Sequence, residues 1–209
     1  FTANKTKISN DVVSISDVND PLLNDKVGIE YAETRHNIGF MVASCLADRA
    51  GIALKRKGYQ GLYGVGRIVG EEVTILLPQT FMNRSGASVA PACQSLGVEL
   101  GDLIVVHDEI DLAFGSLRVK AGGGHGGHNG LRSIGADLGE TGYKRLRMGV
   151  GRPPAGGDVS AHVLSRFNAA ERALLGKYVE TATEALEDLV RNGAQDAMSR
   201  YNNRDLLTK

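Results

Sequence analysis

The run Leu-Ile-Val-Val-His at residues 103–107 narrows the choice of fold more than any other stretch of this chain. It is short, apolar and rich in β-branched residues, which is typical of a strand buried in the middle of a sheet. Three acidic residues follow it closely, at Asp108, Glu109 and Asp111. Because open α/β sheets form their sites just beyond the carboxyl ends of such strands, the run predicts a central strand that delivers acidic side chains to a functional site.

Other strand patterns lie on both sides of this run. Residues 62–69 and 73–77 are two apolar segments joined by a short turn-like sequence, which predicts a hairpin. Residues 144–151 alternate, with apolar side chains on one face and Arg145 and Arg147 on the other. These segments predict further strands of the same sheet.

Helical patterns separate the predicted strands. After Asn37, apolar residues recur at intervals of three and four until Gly51, which predicts an amphipathic helix with an asparagine cap and a carboxyl-terminal glycine. Asn168 and Glu171 fit a capping box at the start of a long helix that ends at residues 192–193. Strands and helices therefore alternate along the chain, as they do in α/β proteins.

Length and composition fit one globular domain. The chain has 209 residues, of which 42% are hydrophobic and 23% charged, and it shows no internal repeat or linker. We predict a single α/β domain over residues 1–209, built as a twisted mixed β-sheet flanked by helices. Residues 1–27 form an atypical amino-terminal segment in which only 12–18 predicts a short strand.

The sequence also bears on location. Residues 1–27 lack the apolar core of a secretory signal and the arginine content of an organelle transit peptide. No apolar run approaches the roughly 20 residues needed to span a bilayer. The two cysteines, Cys45 and Cys93, fit a reducing compartment. We therefore expect a cytoplasmic protein without a membrane partner.

Charge is unevenly distributed. The formal net charge is zero, which argues against indiscriminate binding of nucleic acid. Residues 118–152 nevertheless carry seven basic residues against two acidic ones. On charge alone, this stretch fits a solvated basic face as well as a phosphate-binding face. The basic residues are Arg118, Lys120, Arg132, Lys144, Arg145, Arg147 and Arg152.

The glycine-rich stretch "KAGGGHGGHNGLRS" at residues 120–133 allows several interpretations. Glycines let backbone amides approach a phosphate, but the Gly-Lys-Ser/Thr ending and the acidic partner of the usual nucleotide loops are missing. His125 and His128 could bind a metal, with His36 or Asp108 completing the set. The glycines could also form only a tight turn. The last alternative is the wall of an active site.

His36 and Asp108 suggest that last alternative. A neutral histidine takes a proton from water when a carboxylate holds its other ring nitrogen, and the helix that begins after His36 favours the neutral imidazole. The chain lacks a Gly-x-Ser-x-Gly nucleophile turn, so water would be the nucleophile. Asn83 and Asn129 are loop amides that could hold a peptide-like substrate or an oxyanion.

Taken together, these stretches resemble the bacterial peptidyl-tRNA hydrolase family over about residues 28–195. The resemblance implies cleavage of the ester between a nascent peptide and the 3′-terminal ribose of tRNA, without metal or other cofactor. Its partner would be peptidyl-tRNA, contacted through the acceptor arm and the peptide, and the protein would act as a monomer. The matching motifs are EYAETRHNIGF (30–40), PQTFMNRSG (78–86), VVHDEIDLAFGSLRVKAGGGHGGHNGLRSI (105–134) and YKRLRMGVGRP (143–153).

The resemblance also implies roles for individual residues. The catalytic histidine falls on His36 and the aspartate that orients it on Asp108. Residues 156–168 match a segment that covers the cleft. The side chains that bind substrate or line the cleft would be Tyr31, Phe81, Asn83, His128 and Asn129. The basic contacts to tRNA phosphates would be Arg118, Lys120 and Arg147.

One family motif is missing. The first strand of the family runs into a Gly-Leu-Gly-Asn-Pro-Gly turn, whereas residues 22–28 here are LLNDKVG, with Lys26 at the asparagine position and Val27 at the proline position. Three explanations stay open: a weakened hydrolase, a non-catalytic RNA- or protein-binding homologue, or an altered amino-terminal sequence before an ordinary enzyme. Four retained residues favour an enzyme, because binding alone makes no physical demand for a base, its orienting carboxylate and both amides. They are His36, Asp108, Asn83 and Asn129.

Overall fold

The computed structural model of the protein describes residues 11–14 and 34–202, and its strands form one seven-stranded sheet. The spatial order of the strands is β2-β3-β4-β1-β5-β7-β6. In chain order they are β1 (Asp11–Ser14), β2 (Arg56–Gly58), β3 (Gly61–Ile68), β4 (Glu71–Pro78), β5 (Leu103–Glu109), β6 (Leu117–Ala121) and β7 (Lys144–Gly149).

The sheet is mixed, as the sequence predicts. Strand β1 pairs in parallel with both β4 and β5, and β5 pairs in parallel with β7. The edges are antiparallel, with β2 and β3 on one side and β6 on the other. The predicted central strand is confirmed as β5, which lies between β1 and β7. The strand predicted at 12–18 is present as β1 over Asp11–Ser14, and residues 15–18 lie outside the described residues.

Helices cover both faces of the sheet. They are α1 (Ile38–Ala50), α2 (Gly86–Leu96), α3 (Asn129–Leu138), α4 (Val159–Val163) and α5 (Ala169–Tyr201). One core cluster joins α1 and α5 to one face, and a second joins α2 and α3 to the other. Strand β5 supplies both, with Ile104 and Val106 in the first cluster and Leu103 and Val105 in the second. Such burial on both faces explains its continuous apolar sequence.

The helix predictions are largely confirmed, with two corrections. Helix α1 spans the predicted residues, and Gly51 ends it with a φ of 67°. The Asn37 side chain does not cap this helix, because the 3-10 turn Arg35–Asn37 already leads the chain into it. The capping box at Asn168 is present. Helix α5 does not stop at residues 192–193: Gly193, with a φ of 80°, kinks it, and the chain then continues as a helix to Tyr201.

The end of α5 is tied to the edge of the sheet. The Asn202 side chain accepts a hydrogen bond from the Val119 amide at 2.8 Å and donates one to the Val119 carbonyl at 3.0 Å. Its amide therefore binds the edge strand β6 as the backbone of another strand would. No helix within residues 34–202 is long and apolar enough to cross a membrane.

Candidate active site

A cleft of about 280 Å³ lies at the carboxyl end of β5. This is where an open α/β sheet places its sites, as the sequence analysis predicts. The last residues of β5, the glycine loop and the start of α3 form its floor and one wall, and α4 contributes the opposite side. Its lining includes His36, Asp108, Glu109, Ile110, His128, Asn129, Val159, Ser160 and Val163.

A buried carboxylate and two histidines form the polar centre of this cleft. Oδ1 of Asp108 lies 2.7 Å from Nδ1 of His36 and 3.0 Å from Nε2 of His128. Burial alone would raise the pKa of Asp108, but the two histidines outweigh it by charge and hydrogen bonding, and hold that pKa below its ordinary value. Asp108 is therefore an ionised acceptor at neutral pH.

The contacts of His128 define its tautomer. Nδ1 of His128 accepts a hydrogen bond from the Leu131 amide, because His128 is the N-cap of α3. Its Nε2 consequently carries the proton that it donates to Asp108. The sequence motif indicates a place for His128 beside the substrate, but it contains no sign of this second hydrogen bond to the carboxylate.

His36 is oriented for chemistry through one of its ring nitrogens. It lies in the 3-10 turn Arg35–Asn37, before α1, and neutral His36 donates Nδ1–H to Asp108. Its Nε2 then keeps a lone pair that can accept a proton. This is the arrangement of a general base that a carboxylate orients.

His107 contacts both Asp108 and His128 of this polar centre. It is 1% exposed, its Nδ1 donates to the Asp108 carbonyl at 2.7 Å, and its ring makes an edge contact with the His128 ring at 5.0 Å between centroids. Burial lowers the pKa of His107 to about 3, so the ring is neutral. The motif holds this residue, but the sequence analysis did not select it as part of the site.

The predicted amide and aromatic side chains lie at two places. Asn129 begins α3 and lines the cleft. Phe81 and Asn83 belong to the neighbouring segment that forms the 3-10 turn Met82–Arg84, and both are exposed. This turn packs against the start of α3, where a Cβ on Gly130 would lie 2.6 Å from Met82 Sδ. Tyr31 is outside the described residues, as are residues 22–28 with the altered motif.

The glycine loop is held from inside the protein. Arg145 is 3% exposed, donates to the Gly124 carbonyl at 2.7 Å and to the Gly123 carbonyl, and lies 4.8 Å from the centre of the Tyr143 ring. The prediction that Arg145 belongs to an exposed basic face is therefore wrong. Its guanidinium anchors the loop that carries His128.

The two loop histidines do not share one site. His125 is exposed and its Nδ1 accepts a hydrogen bond from the Gly127 amide. The donor group compact enough for a metal among the described residues consists of His36, Asp108 and His128, whose ligand atoms lie within 4.8 Å of one another. The interpretation of His125 and His128 as a ligand pair is thus wrong. The same three residues already form the hydrogen-bonded centre described above.

Comparisons with known proteins agree with this geometry. A sequence model of the family described as peptidyl-tRNA hydrolase matches residues 26–209. The chain belongs to the peptidyl-tRNA hydrolase family. A peptidyl-tRNA hydrolase of Syntrophotalea carbinolica is 55% identical over 180 residues, 86% of this chain and 94% of the relative. One from Geobacter metallireducens is 48% identical over 180 residues, 86% of this chain and 92% of the relative.

Solved structures support the fold of the family as well. The crystal structure of peptidyl-tRNA hydrolase from Acinetobacter baumannii is 36% identical, has a TM-score of 0.84 and covers 95% of this chain and 97% of its own. The family resemblance and the mixed α/β fold that the sequence analysis predicts are therefore confirmed.

The three basic residues expected to contact tRNA in this peptidyl-tRNA hydrolase lie on adjacent strands. Arg118 of β6 is the cross-strand partner of Arg147 of β7, and Lys120 is two residues further along β6. Arg118 and Lys120 are exposed. Arg147 donates two hydrogen bonds to Glu109, at 2.8 Å and 3.1 Å.

The segment at 156–168, which resembles the cleft cover of the family, includes α4 and lines the cleft through Val159, Ser160 and Val163. It ends beside the turn Arg35–Asn37. Arg35 donates to the hydroxyl of Ser165 at 2.6 Å, to the carbonyl of Arg166 at 2.8 Å and to the carboxylate of Glu171 at 2.7 Å. The residue before His36 thus fastens the end of the segment to the start of α5.

Proposed function

We propose that this chain hydrolyses the ester that joins a peptide to the 3′-terminal ribose of tRNA, and so releases tRNA for reuse in translation. The observation that carries the proposal is the 2.7 Å contact between Nδ1 of His36 and the buried carboxylate of Asp108, in a member of the peptidyl-tRNA hydrolase family. Water is the second reactant.

His36 and Asp108 divide the chemical work. Nε2 of His36 removes a proton from water, whose oxygen attacks the ester carbonyl carbon. Asp108 holds the ring through Nδ1 and stabilises the imidazolium that forms. His36 then returns the proton to the departing ribose oxygen. The products are a peptide with a free carboxyl group and a tRNA with a free hydroxyl, so one water is consumed for each ester.

Other side chains hold the substrate in this proposal. Asn83 and Asn129 have amide N–H groups that can donate to the peptide and to the oxyanion, and Tyr31 and Phe81 offer aromatic surface near the ester. His128 fixes Asp108 while it lies beside the substrate.

The basic strands hold the RNA. Arg118, Lys120 and Arg147 contact phosphates of the acceptor arm, since guanidinium and ammonium groups are the usual phosphate partners. The segment at 156–168 covers the peptide end. We further propose that residues 1–209 act as one domain and as a monomer in the cytoplasm, without metal or other cofactor.

Single-turnover hydrolysis of an N-acetylated aminoacyl-tRNA tests the proposal. The chain is compared with a version in which residues 23–28, within the altered stretch 22–28, are replaced by the family turn, Gly-Leu-Gly-Asn-Pro-Gly. We expect both to cleave, with the replaced version faster, because the retained His36 and Asp108 suffice for the chemistry while the family asparagine improves positioning. If neither cleaves although both bind tRNA, the non-catalytic alternative is correct.

A second arm of the same assay tests the metal-independent mechanism. Hydrolysis in excess EDTA should proceed at the rate measured without EDTA, because an imidazole rather than a metal activates the water. Loss of activity that added Zn²⁺ restores would instead identify a metal hydrolase built on the same three side chains.

A further inference from the structure

Glu109 connects the cleft to the basic strands. It is the last residue of β5, its side chain is 12% exposed, and it lines the cleft one residue after Asp108. Its Oε2 accepts hydrogen bonds from Nη2 and Nε of Arg147 at 2.8 Å and 3.1 Å. Two N–H groups of one guanidinium therefore point at a single carboxylate oxygen.

The position of Arg147 gives this ion pair its significance. Arg147 and Arg118 lie directly opposite each other on β7 and β6, and like charges so placed repel. Lys120 follows on the same face of β6, because side chains on one face of a strand recur every second residue. Glu109 thus neutralises Arg147, which of these three cations is the one bound to a residue of the cleft lining.

A carboxylate and a phosphate use the same donors of an arginine. A carboxylate is planar and a phosphate is tetrahedral, but a guanidinium binds the oxygens of either group through paired N–H groups. A phosphate that binds Arg147 through Nε and Nη2 must therefore displace Glu109. The free-energy cost of that displacement is the same for every ligand. Only an RNA that also contacts Arg118 and Lys120 gains enough binding free energy from those two contacts to offset it.

We propose that Glu109 acts as a stand-in for an RNA phosphate and so determines which RNAs can occupy Arg147. It deepens the proposed function, on which it rests, by assigning a specificity residue to the same site. In the free protein Glu109 keeps Arg147 neutralised. A correctly placed phosphate of the acceptor arm replaces it, whereas a short RNA without the neighbouring contacts does not.

Salt dependence distinguishes displacement from simple proximity. Binding of one phosphate by a free cation releases counterions and contributes about 0.7 to 0.9 to the slope of log affinity against log salt. In the wild type, the Glu109 that is set free takes up a cation, which cancels most of the contribution from Arg147. With Glu109→Gln the cancellation is gone, and the slope should steepen by about that amount.

The experiment compares Glu109→Gln with Asp111→Asn. Both changes remove one negative charge without changing side-chain size, but Asp111 and its partner Arg152 have side chains that are 51% and 62% exposed. Binding of deacylated tRNA and of a short oligouridylate is measured by fluorescence anisotropy over a salt series. Neither probe has an ester, so the readout does not depend on hydrolysis.

We expect Glu109→Gln to bind both probes about three- to tenfold more tightly at low salt, with a steeper salt slope. The affinity for the oligouridylate should rise by a larger factor than the affinity for tRNA, so that discrimination between them falls. Asp111→Asn should change either affinity by less than about twofold, because an exposed pair contributes little. An effect of Glu109→Gln no larger than that of Asp111→Asn would overturn the proposal.

A double-mutant cycle with Arg147→Gln completes the test. If Glu109 acts through Arg147, Glu109→Gln has no further effect on RNA affinity in the Arg147→Gln background. An equal gain in both backgrounds would mean that Glu109 acts only as a general negative charge, and the proposal would fall. Hydrolysis of peptidyl-tRNA by the wild type is measured alongside. If the wild type cleaves normally and Glu109→Gln does not change RNA affinity, only the role of Glu109 is rejected. If the wild type neither binds nor cleaves tRNA, the proposed function is rejected as well.

Discussion

At the scale of single residues, the site depends on one carboxylate oxygen that two histidines share. Oδ1 of Asp108 accepts from both His36 and His128, so it orients the His36 ring and holds the end of the glycine loop, where α3 begins, at the same time. His107 lies beneath as a neutral ring and packs against His128. A change in any one of the four residues therefore affects the position of the others.

His36→Ala tests the base directly. We expect kcat to fall at least about a hundredfold, because general-base catalysis contributes roughly 10² to 10⁴. Affinity for deacylated tRNA should stay nearly unchanged, since the His36 ring is not among the proposed phosphate contacts. Single-turnover hydrolysis and a binding titration on the same preparation measure the two quantities. A loss of affinity with turnover intact would contradict the assignment.

The neutral state of His107 predicts acid sensitivity. Its pKa is about 3 in the folded protein and 6.5 in the unfolded chain, so below pH 6.5 the unfolded state binds a proton that the folded state does not. The free energy of unfolding should therefore fall as the pH drops from 6.5 toward 3, by about 1.4 kcal/mol per pH unit from this group. The low pKa of Asp108 acts in the same direction.

Urea unfolding at pH 7 and at pH 5 measures this loss. His107→Gln keeps a side-chain donor but removes the titration. Its unfolding free energy should therefore vary less with pH than that of the wild type. The difference corresponds to the uptake of roughly one proton on unfolding. Equal pH dependence of the two proteins would show that His107 is protonated in the folded state.

At the scale of elements, the turn Arg35–Asn37 and the segment at 156–168 share one anchor. Arg35 joins the turn Arg35–Asn37 to residues 165–166 and to Glu171 at the start of α5, and the strand-like bridge between Thr34 and Arg166 adds to the connection. The segment that contains α4 thus ends at a fixed point beside His36.

Arg35→Lys tests the anchor. Lysine keeps the charge but loses the fork of donors, so the unfolding free energy should fall by about 1–3 kcal/mol. Arg49→Lys is the matched control, because the Arg49–Glu187 pair is longer, at 3.4 Å, and partly exposed. It should change the unfolding free energy by less than about 0.5 kcal/mol in the same urea titration. Similar losses in both variants would deny Arg35 a special role.

At the scale of the whole molecule, local patterns predict the elements and long-range contacts decide the site. The apolar run at 103–107, the glycine after α1 and the capping box at Asn168 each act over a few residues, and all three are confirmed. The pairing of His36 with Asp108 follows from chemical type and from the family motif.

The remaining features depend on packing between elements distant in sequence. Alternation along β7 places Arg145 and Arg147 on one face, but it does not show that the glycine loop covers Arg145 while Arg147 meets Glu109. The bond from His128 to Asp108 likewise requires the start of α3 to lie beside the end of β5. Sequence patterns carry no information on such distances.

The Asn202 side chain bound to β6 also bears on how copies of this protein meet. An edge strand offers a row of free N–H and C=O groups on which a second chain can add its own strand, the first step of sheet-to-sheet aggregation. Asn202 occupies part of that row, and the opposite edge, β2, is only three residues long and carries exposed Arg56 and Lys57. The Asn202 side chain at one border and the short, charged β2 at the other therefore both disfavour pairing of this sheet with a strand of a second copy.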